Sequence, residues 1–178
     1  MARVLTVDQP CRLELECPEG VHVPGPASLD LLKYLFTVRG KSVLDLGCGN
    51  GLFAIAAAKL GAAHVAAIEI DHDAIANAQE NVSRNGVAER VTVIEGDADV
   101  LLPLVAPLRI VLANILSSVL LQLLPAIRDA LTADGEAILS GILLDERDTM
   151  LVALARGGWR VVAEDVEGAW WTARIARS

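Results

Sequence analysis

The chain has 178 residues, of which 53% are hydrophobic and only 3% aromatic, and its formal net charge is −8. That length suits one domain with a three-layer core rather than two folding units, and charged residues interrupt every apolar run before the roughly 18 residues that a membrane span needs. The negative balance argues against a sequence-independent grip on a phosphate backbone, which rests on clustered Lys and Arg, and favours a basic partner.

In chain order, residues 1–40 read as an N-terminal extension to a unit spanning 41–178. Residues 4–7 and 12–16 alternate like a small hairpin, 21–26 read as extended, and 27–36 as an amphipathic helix able to lid a pocket or present a substrate. The first residues lack the apolar core of a secretory signal, so cytoplasmic residence is expected. Val43, Leu44 and Leu46 mark a strand, followed by a helix over 52–60. A second strand over 64–70 leads to a helix over 71–85, with Ile75, Ala78 and Val82 inward and Asn85-Gly86 as its stop. Strands follow over 91–95 and 109–113, with a turn-prone stretch at 103–107 between them. The apolar helix over 116–131 carries Pro125, which predicts a kink or a division. A strand over 135–141, a helix over 145–156, and strands over 159–164 and 169–175 meeting at Gly168 complete the pattern. Such alternation predicts an α/β fold: a Rossmann-like, doubly wound, seven-stranded sheet. It is mostly parallel, with a C-terminal antiparallel hairpin and helices on both faces.

The chemistry concentrates in Ser42-Val-Leu-Asp-Leu-Gly-Cys-Gly-Asn-Gly51. Gly47, Gly49 and Gly51 form the strand-to-helix turn, where missing Cβ atoms let backbone amides approach a ligand. A dinucleotide fingerprint needs its third glycine at position 52, which is Leu, and does not place Asp45 ahead of the turn. A carboxylate there fits S-adenosylmethionine, whose sulfonium and amino groups are cationic. The structural alternative is a turn that needs only small residues.

Further candidates stand at the ends of later strands, where ligands of such sheets bind. Glu69 can accept both hydroxyls of a ribose, or else be a solvated acid. Asp97 can accept the exocyclic amine of adenine while the Ala98 amide donates to the ring, or else cap a helix. Asn114, directly after the fourth strand, can accept an N–H from an attacking amine, or else cap the next helix. Methionine, ribose and adenine are thus covered in chain order. The candidate cofactor-binding residues are Asp45, Gly47, Cys48, Gly49, Gly51, Glu69, Ile70, Asp97, Ala98 and Asn114, and the candidate catalytic residue is Asn114. Cys11, Cys17 and Cys48 are odd in number and His22, His64 and His72 are scattered, so free thiols and no metal are expected.

Val43 to Gly51, Ala67-Ile-Glu-Ile-Asp71 and Gly96-Asp-Ala98 resemble the class I S-adenosylmethionine-dependent methyltransferases. Residues 52–61, Ala113-Asn-Ile-Leu116, 121–127 and 139–143 are similar to one family among them, the methyltransferases of large-subunit ribosomal protein eleven. The resemblance covers 40–177 and implies S-adenosylmethionine as methyl donor, S-adenosylhomocysteine as product, and a protein lysine or N-terminal amine as acceptor. That family carries an N-terminal docking domain and a Gly-Thr-Gly loop, which Gly20-Val-His-Val-Pro-Gly25 does not reproduce. The glutamine-amide methyltransferases of release factors require Asn-Pro-Pro-Tyr where this chain has Asn114-Ile-Leu-Ser117. The alternatives are a small-molecule or RNA methyltransferase of the same fold, an NAD-linked oxidoreductase, and a non-catalytic nucleoside-binding module.

Overall fold

The period of two along the central strands decides which helices cover which face of the sheet. In β3 (Ser42–Leu46), Val43 packs with Val65 and Ala67 of β4 (His64–Glu69) and with Ile110 and Leu112 of β6 (Leu108–Asn114). The intervening Leu44 and Leu46 pack on the opposite face with Ala66, Ile68, Val111 and Ala113. The first cluster is covered by α1 (Leu52–Lys59) and α2 (His72–Arg84). The second is covered by α3 (Ala98–Val105), α4 (Ser117–Ala130) and α5 (Arg147–Arg156). The structure is a computed structural model that describes residues 3–8, 11–18, 25, 28 and 31–178.

The remaining strands of the sheet are β5 (Val91–Glu95), β7 (Leu131–Leu143), β8 (Trp159–Glu167) and β9 (Trp170–Arg177). Their order is β5-β4-β3-β6-β7-β9-β8, the seven-stranded doubly wound arrangement predicted. Neighbours from β5 to β7 run parallel, while β9 is antiparallel to both β7 and β8. The winding reverses between β3 and β6, so the crevice of the fold opens beyond the carboxyl ends of those two strands.

α1 is buried on all sides from Leu52 to Ala58, which a helix lying on one sheet face alone would not be. Its outer side is covered by a 3-10 helix over Leu32–Thr37 and by β2 (Leu13–Cys17), which pairs antiparallel with β1 (Arg3–Val7). Val7, Leu13, Leu15, Leu31 and Leu35 accordingly share one apolar cluster with Ala54, Ile55 and Ala58.

The free edge of β2 is zipped to α2 by asparagine side chains. Asn81 Oδ1 accepts from Glu16 N at 2.7 Å and its Nδ2 donates to Glu16 O at 3.0 Å. Asn85 repeats the pair on Glu14, and Asn77 Nδ2 adds a bond to Glu16 O at 2.8 Å. One helical turn of four residues rises about 6 Å and two strand residues about 6.6 Å, so asparagines spaced by four meet alternate strand residues.

Two expectations are corrected, and that of a kink or division at Pro125 is narrowed. The turn-prone stretch at 103–107 overlaps a helix, because Asp97 caps α3 and Pro103 sits on its exposed side. Pro125 does not divide α4, which is continuous from Ser117 to Ala130. β7 begins at Leu131 rather than Gly135, following α4 without a loop. Residues 21–24 and 26, which carry most of the expected extended stretch and His22, lie outside the described residues, as do 27, 29 and 30 of the expected helix. Among the described residues no helix is long and apolar enough to cross a membrane.

Candidate functional site

The turn between β3 and α1 is built by its own backbone and two acids. Gly47 N and Cys48 N both donate to Ile68 O, at 2.9 and 3.1 Å, which hangs the turn on the end of β4. Gly47 has φ +69°, and a Cβ there would stand 2.4 Å from Ile115 Cγ2, so only glycine lets the β6 exit pack against the turn. At Gly49, with φ +52°, an added Cβ would meet nothing within 4 Å, so this side of the turn opens into the crevice.

Asp45 points down the same face as Val43, to α1. Its Oδ2 accepts from Ala54 N at 2.9 Å, Asn50 Oδ1 accepts from Leu52 N at 3.1 Å, and the helix N-cap is Gly51, which has no side chain. Neighbouring side chains thus replace the cap that Gly51 lacks. Asp45 is completely buried, and its Oδ1 has no hydrogen-bond partner among the described residues. Burial pushes its carboxyl up to about 7, against the lowering effect of the Ala54 amide and with a further upward push from the Glu69 charge. The buried Cys48 thiol is likewise held well above the ordinary thiol range, by burial first and then by Asp45 and Glu69. A thiol so held is not a nucleophile at neutral pH.

Glu69 ends β4 and ties three amides together. Its Oε2 accepts from Gly49 N at 2.8 Å, and its Oε1 from Ile70 N at 2.8 Å and Asp71 N at 3.0 Å. The solvated-acid alternative does not hold, because Glu69 is only 9% exposed. Ile70 beside it is 69% exposed, an apolar side chain on the crevice rim. Gly96 N donates to Glu69 O at 2.8 Å, so the end of β5 sits next to that of β4. Asp97 takes the capping role weighed for it: it is the N-cap of α3 and its Oδ1 accepts from Asp99 N at 3.0 Å. It remains exposed, with Ala98 as the first helical residue.

Asn114 closes β6 across the switch point. It does not cap the next helix, whose N-cap is Leu116. Its Nδ2 donates to Ser28 Oγ at 3.2 Å, and its neighbour Ile115 is the residue that packs on Gly47. The structure therefore gathers the glycine turn, Glu69, Asp97 and Asn114 along adjoining strand ends.

Sequence reading missed Ser28, whose partner lies 86 residues away. It also missed Asn77, Asn81 and Asn85, although their spacing by four was a visible signal of one helix face. His72 is exposed and pairs with Glu95 at 3.1 Å, which raises its pKa, first through the hydrogen bond and then through the charge. Among the described residues no group of three potential ligands is placed to hold a metal ion.

A family model described as "Ribosomal protein L11 methyltransferase (PrmA)" matches residues 19–178. The chain is similar to a ribosomal protein L11 methyltransferase of Synechococcus sp. (strain RCC307), 40% identical over 144 residues, covering 80% of this chain and 48% of that protein. It is also similar to one from Thermotoga petrophila, 35% identical over 159 residues, covering 89% of this chain and 58% of that protein. Among solved structures, a ribosomal protein L11 methylase from Lactobacillus delbrueckii subsp. bulgaricus matches with a TM-score of 0.82 at 28% identity, covering 91% of this chain and 84% of that one. The chain spans about half the length of the curated relatives it matches.

Proposed function

The chain belongs to the ribosomal protein L11 methyltransferase (PrmA) family, and from that membership and the crevice geometry we propose that it is an S-adenosylmethionine-dependent N-methyltransferase acting on a protein amine. The observation that carries the reading is the packing of Ile115 on Gly47, which brings Asn114 beside the carboxylate-led glycine turn. Ribosomal protein L11 is the first acceptor to test, because the relatives carry its name. In this reading residues 41–178 are the methyltransferase unit and 1–40 its extension, whose described apolar residues pack into the same cluster as α1.

The residues present fit the cofactor. Gly49 leaves its side of the turn open, Asp45 Oδ1 is a buried acceptor with no partner among the described residues, and Glu69 Oε2, which holds one amide, has acceptor capacity left, while Oε1 already holds two. Asp45 and the turn from Gly47 to Gly51 would hold the methionine part, Glu69 the ribose, and Ile70, Asp97 and Ala98 the adenine. When bound, S-adenosylmethionine supplies an electrophilic methyl group on a sulfonium.

Asn114 then handles the acceptor. With its amide NH2 engaged by Ser28, the side-chain carbonyl is oriented to accept an N–H from the amine. A lysine amine is neutral only about once in 10³ at pH 7, a deficit of roughly 4–5 kcal/mol. The site therefore has to favour the neutral amine and then the positive charge that grows on nitrogen. A fixed carbonyl dipole stabilises that charge more in the transition state than in the ground state. The rest of the rate comes from in-line positioning.

Transfer of radiolabelled methyl is measured with ribosomal proteins, small amines and RNA as acceptors. Label on a protein amine supports the reading; label on RNA, on carbon or on oxygen refutes it. Asn114→Ala is expected to lower kcat by about 2–4 kcal/mol in activation free energy with little change in cofactor affinity. Near-normal turnover in a folded Asn114→Ala protein would remove Asn114 from the reaction.

A further inference from the structure

We propose that Asn81 is a positioning residue for the glycine turn, through which docking of the N-terminal hairpin and binding of the cofactor strengthen each other; the proposal rests on the cofactor reading above. Asn81 is completely buried and touches two separate parts of the chain. Toward the hairpin it pairs with both backbone groups of Glu16, as a neighbouring strand would. Toward the turn, its Nδ2 donates to Asn50 O at 3.0 Å. The orientation of the amide follows from chemistry: the atom facing Glu16 N–H must be the oxygen, so the atom facing two carbonyls is the NH2.

Asn50 lies between Gly49 and Gly51, two of the three glycines that give the turn its backbone freedom. Among the described residues it is held on three sides: its carbonyl by Asn81, its Oδ1 by Leu52 N, and its Nδ2 by Cys17 Sγ at 3.5 Å, the last residue of β2. Two of those three contacts depend on α2 and the hairpin. A turn fixed in its binding geometry before the ligand arrives loses less freedom on binding, so loosening the anchor costs affinity. The coupling is reciprocal, and a ligand that prefers the fixed turn must stabilise the docked hairpin by the same factor.

Asn85 supplies the control. It makes the same pair of bonds to the hairpin, on Glu14, but among the described residues none of its hydrogen bonds reaches the turn. Calorimetric titration with S-adenosylhomocysteine is compared among wild type, Asn81→Ala and Asn85→Ala, with amide exchange of Glu16 followed in the wild type with and without ligand. We expect Asn81→Ala to weaken binding about tenfold, within the usual range of coupling between sites, and Asn85→Ala to leave it within about twofold. In the wild type, saturating ligand slows exchange of the Glu16 amide. Equal affinity in Asn81→Ala and wild type, or equal losses in both variants, would overturn the proposal. Should Asn81→Ala fail to fold, the wild-type exchange decides: an unchanged Glu16 rate under saturating ligand overturns it. A wild type that does not bind S-adenosylhomocysteine overturns the cofactor reading itself.

Discussion

Asp45 ties the end of β3 to the start of α1. Its Oδ2 accepts from Ala54 N while its Oδ1 is buried with no partner among the described residues, and the cost of that burial appears in a carboxyl raised from 3.8 to about 7. Between those values the folded chain holds more protons than the unfolded one, so stability falls as pH rises through the window and levels off above it. Asp45→Asn keeps an acceptor for the Ala54 amide and removes the titration. We expect urea midpoints of the wild type, relative to Asp45→Asn, to decline from about pH 5 to pH 8; parallel profiles would show that Asp45 does not carry the shift. Asp97 can be divided in a similar way. Asp97→Ala loses the α3 cap and about 1 kcal/mol of stability, whereas Asp97→Asn keeps the cap. Its second atom becomes a donor, however, and can no longer take the amine of adenine. Both variants should lose cofactor affinity, by roughly 1.5–3 kcal/mol for a charge-assisted contact, and only the alanine variant should also lose stability. Unchanged affinity in Asp97→Asn would leave Asp97 as a cap alone.

At the scale of elements, tertiary packing overrides local preference in α4. Pro125 removes an amide and crowds the Leu121 carbonyl, a defect of about 3 kcal/mol in a helix interior. Leu120, Leu123, Leu124 and Ile127 are buried on the other side of the same helix, each contributing roughly 1.5–3 kcal/mol, and their sum keeps the helix whole. Pro125 itself is exposed, so replacing it costs little packing. Pro125→Ala is expected to stabilise the protein by about 1–3 kcal/mol in denaturant unfolding. A loss of stability would mean that the proline itself is needed for the fit on the sheet. The asparagine face of α2 is the converse case. Its spacing was visible in the sequence, but its partner is a strand edge more than sixty residues away, and no local rule reports such a pairing.

For the whole molecule, the switch point between β3 and β6 joins elements far apart in the chain, so a ligand bound in the crevice would bridge them and add to the stability of the fold. A ligand that binds only the folded state at a hundred times its Kd adds about 2.7 kcal/mol. In a chain of this size that raises Tm by about 5–10 °C. We expect S-adenosylhomocysteine to give a rise of this order in a thermal scan and NAD to give none. An equal or larger rise with NAD would return the crevice to dinucleotide chemistry.

The seven strands of the sheet and the helices after β3, β4, β6 and β7 were legible in the sequence in chain order, because hydrophobic period and glycine placement are local properties, whereas α3 was hidden by Pro103. The place and make-up of the turn were legible too, since Asp45 and the three glycines are contiguous with their strand. The contacts of these residues came from the folded chain alone: Asp97 as a cap, Asp45 as a substitute cap for Gly51, and Asn114 free of capping and held by Ser28. It alone showed that the first strands cover α1 and grip α2. A buried polar atom takes whichever donor or acceptor the fold brings within reach, and that is fixed by the packing of distant segments rather than by neighbours in the chain.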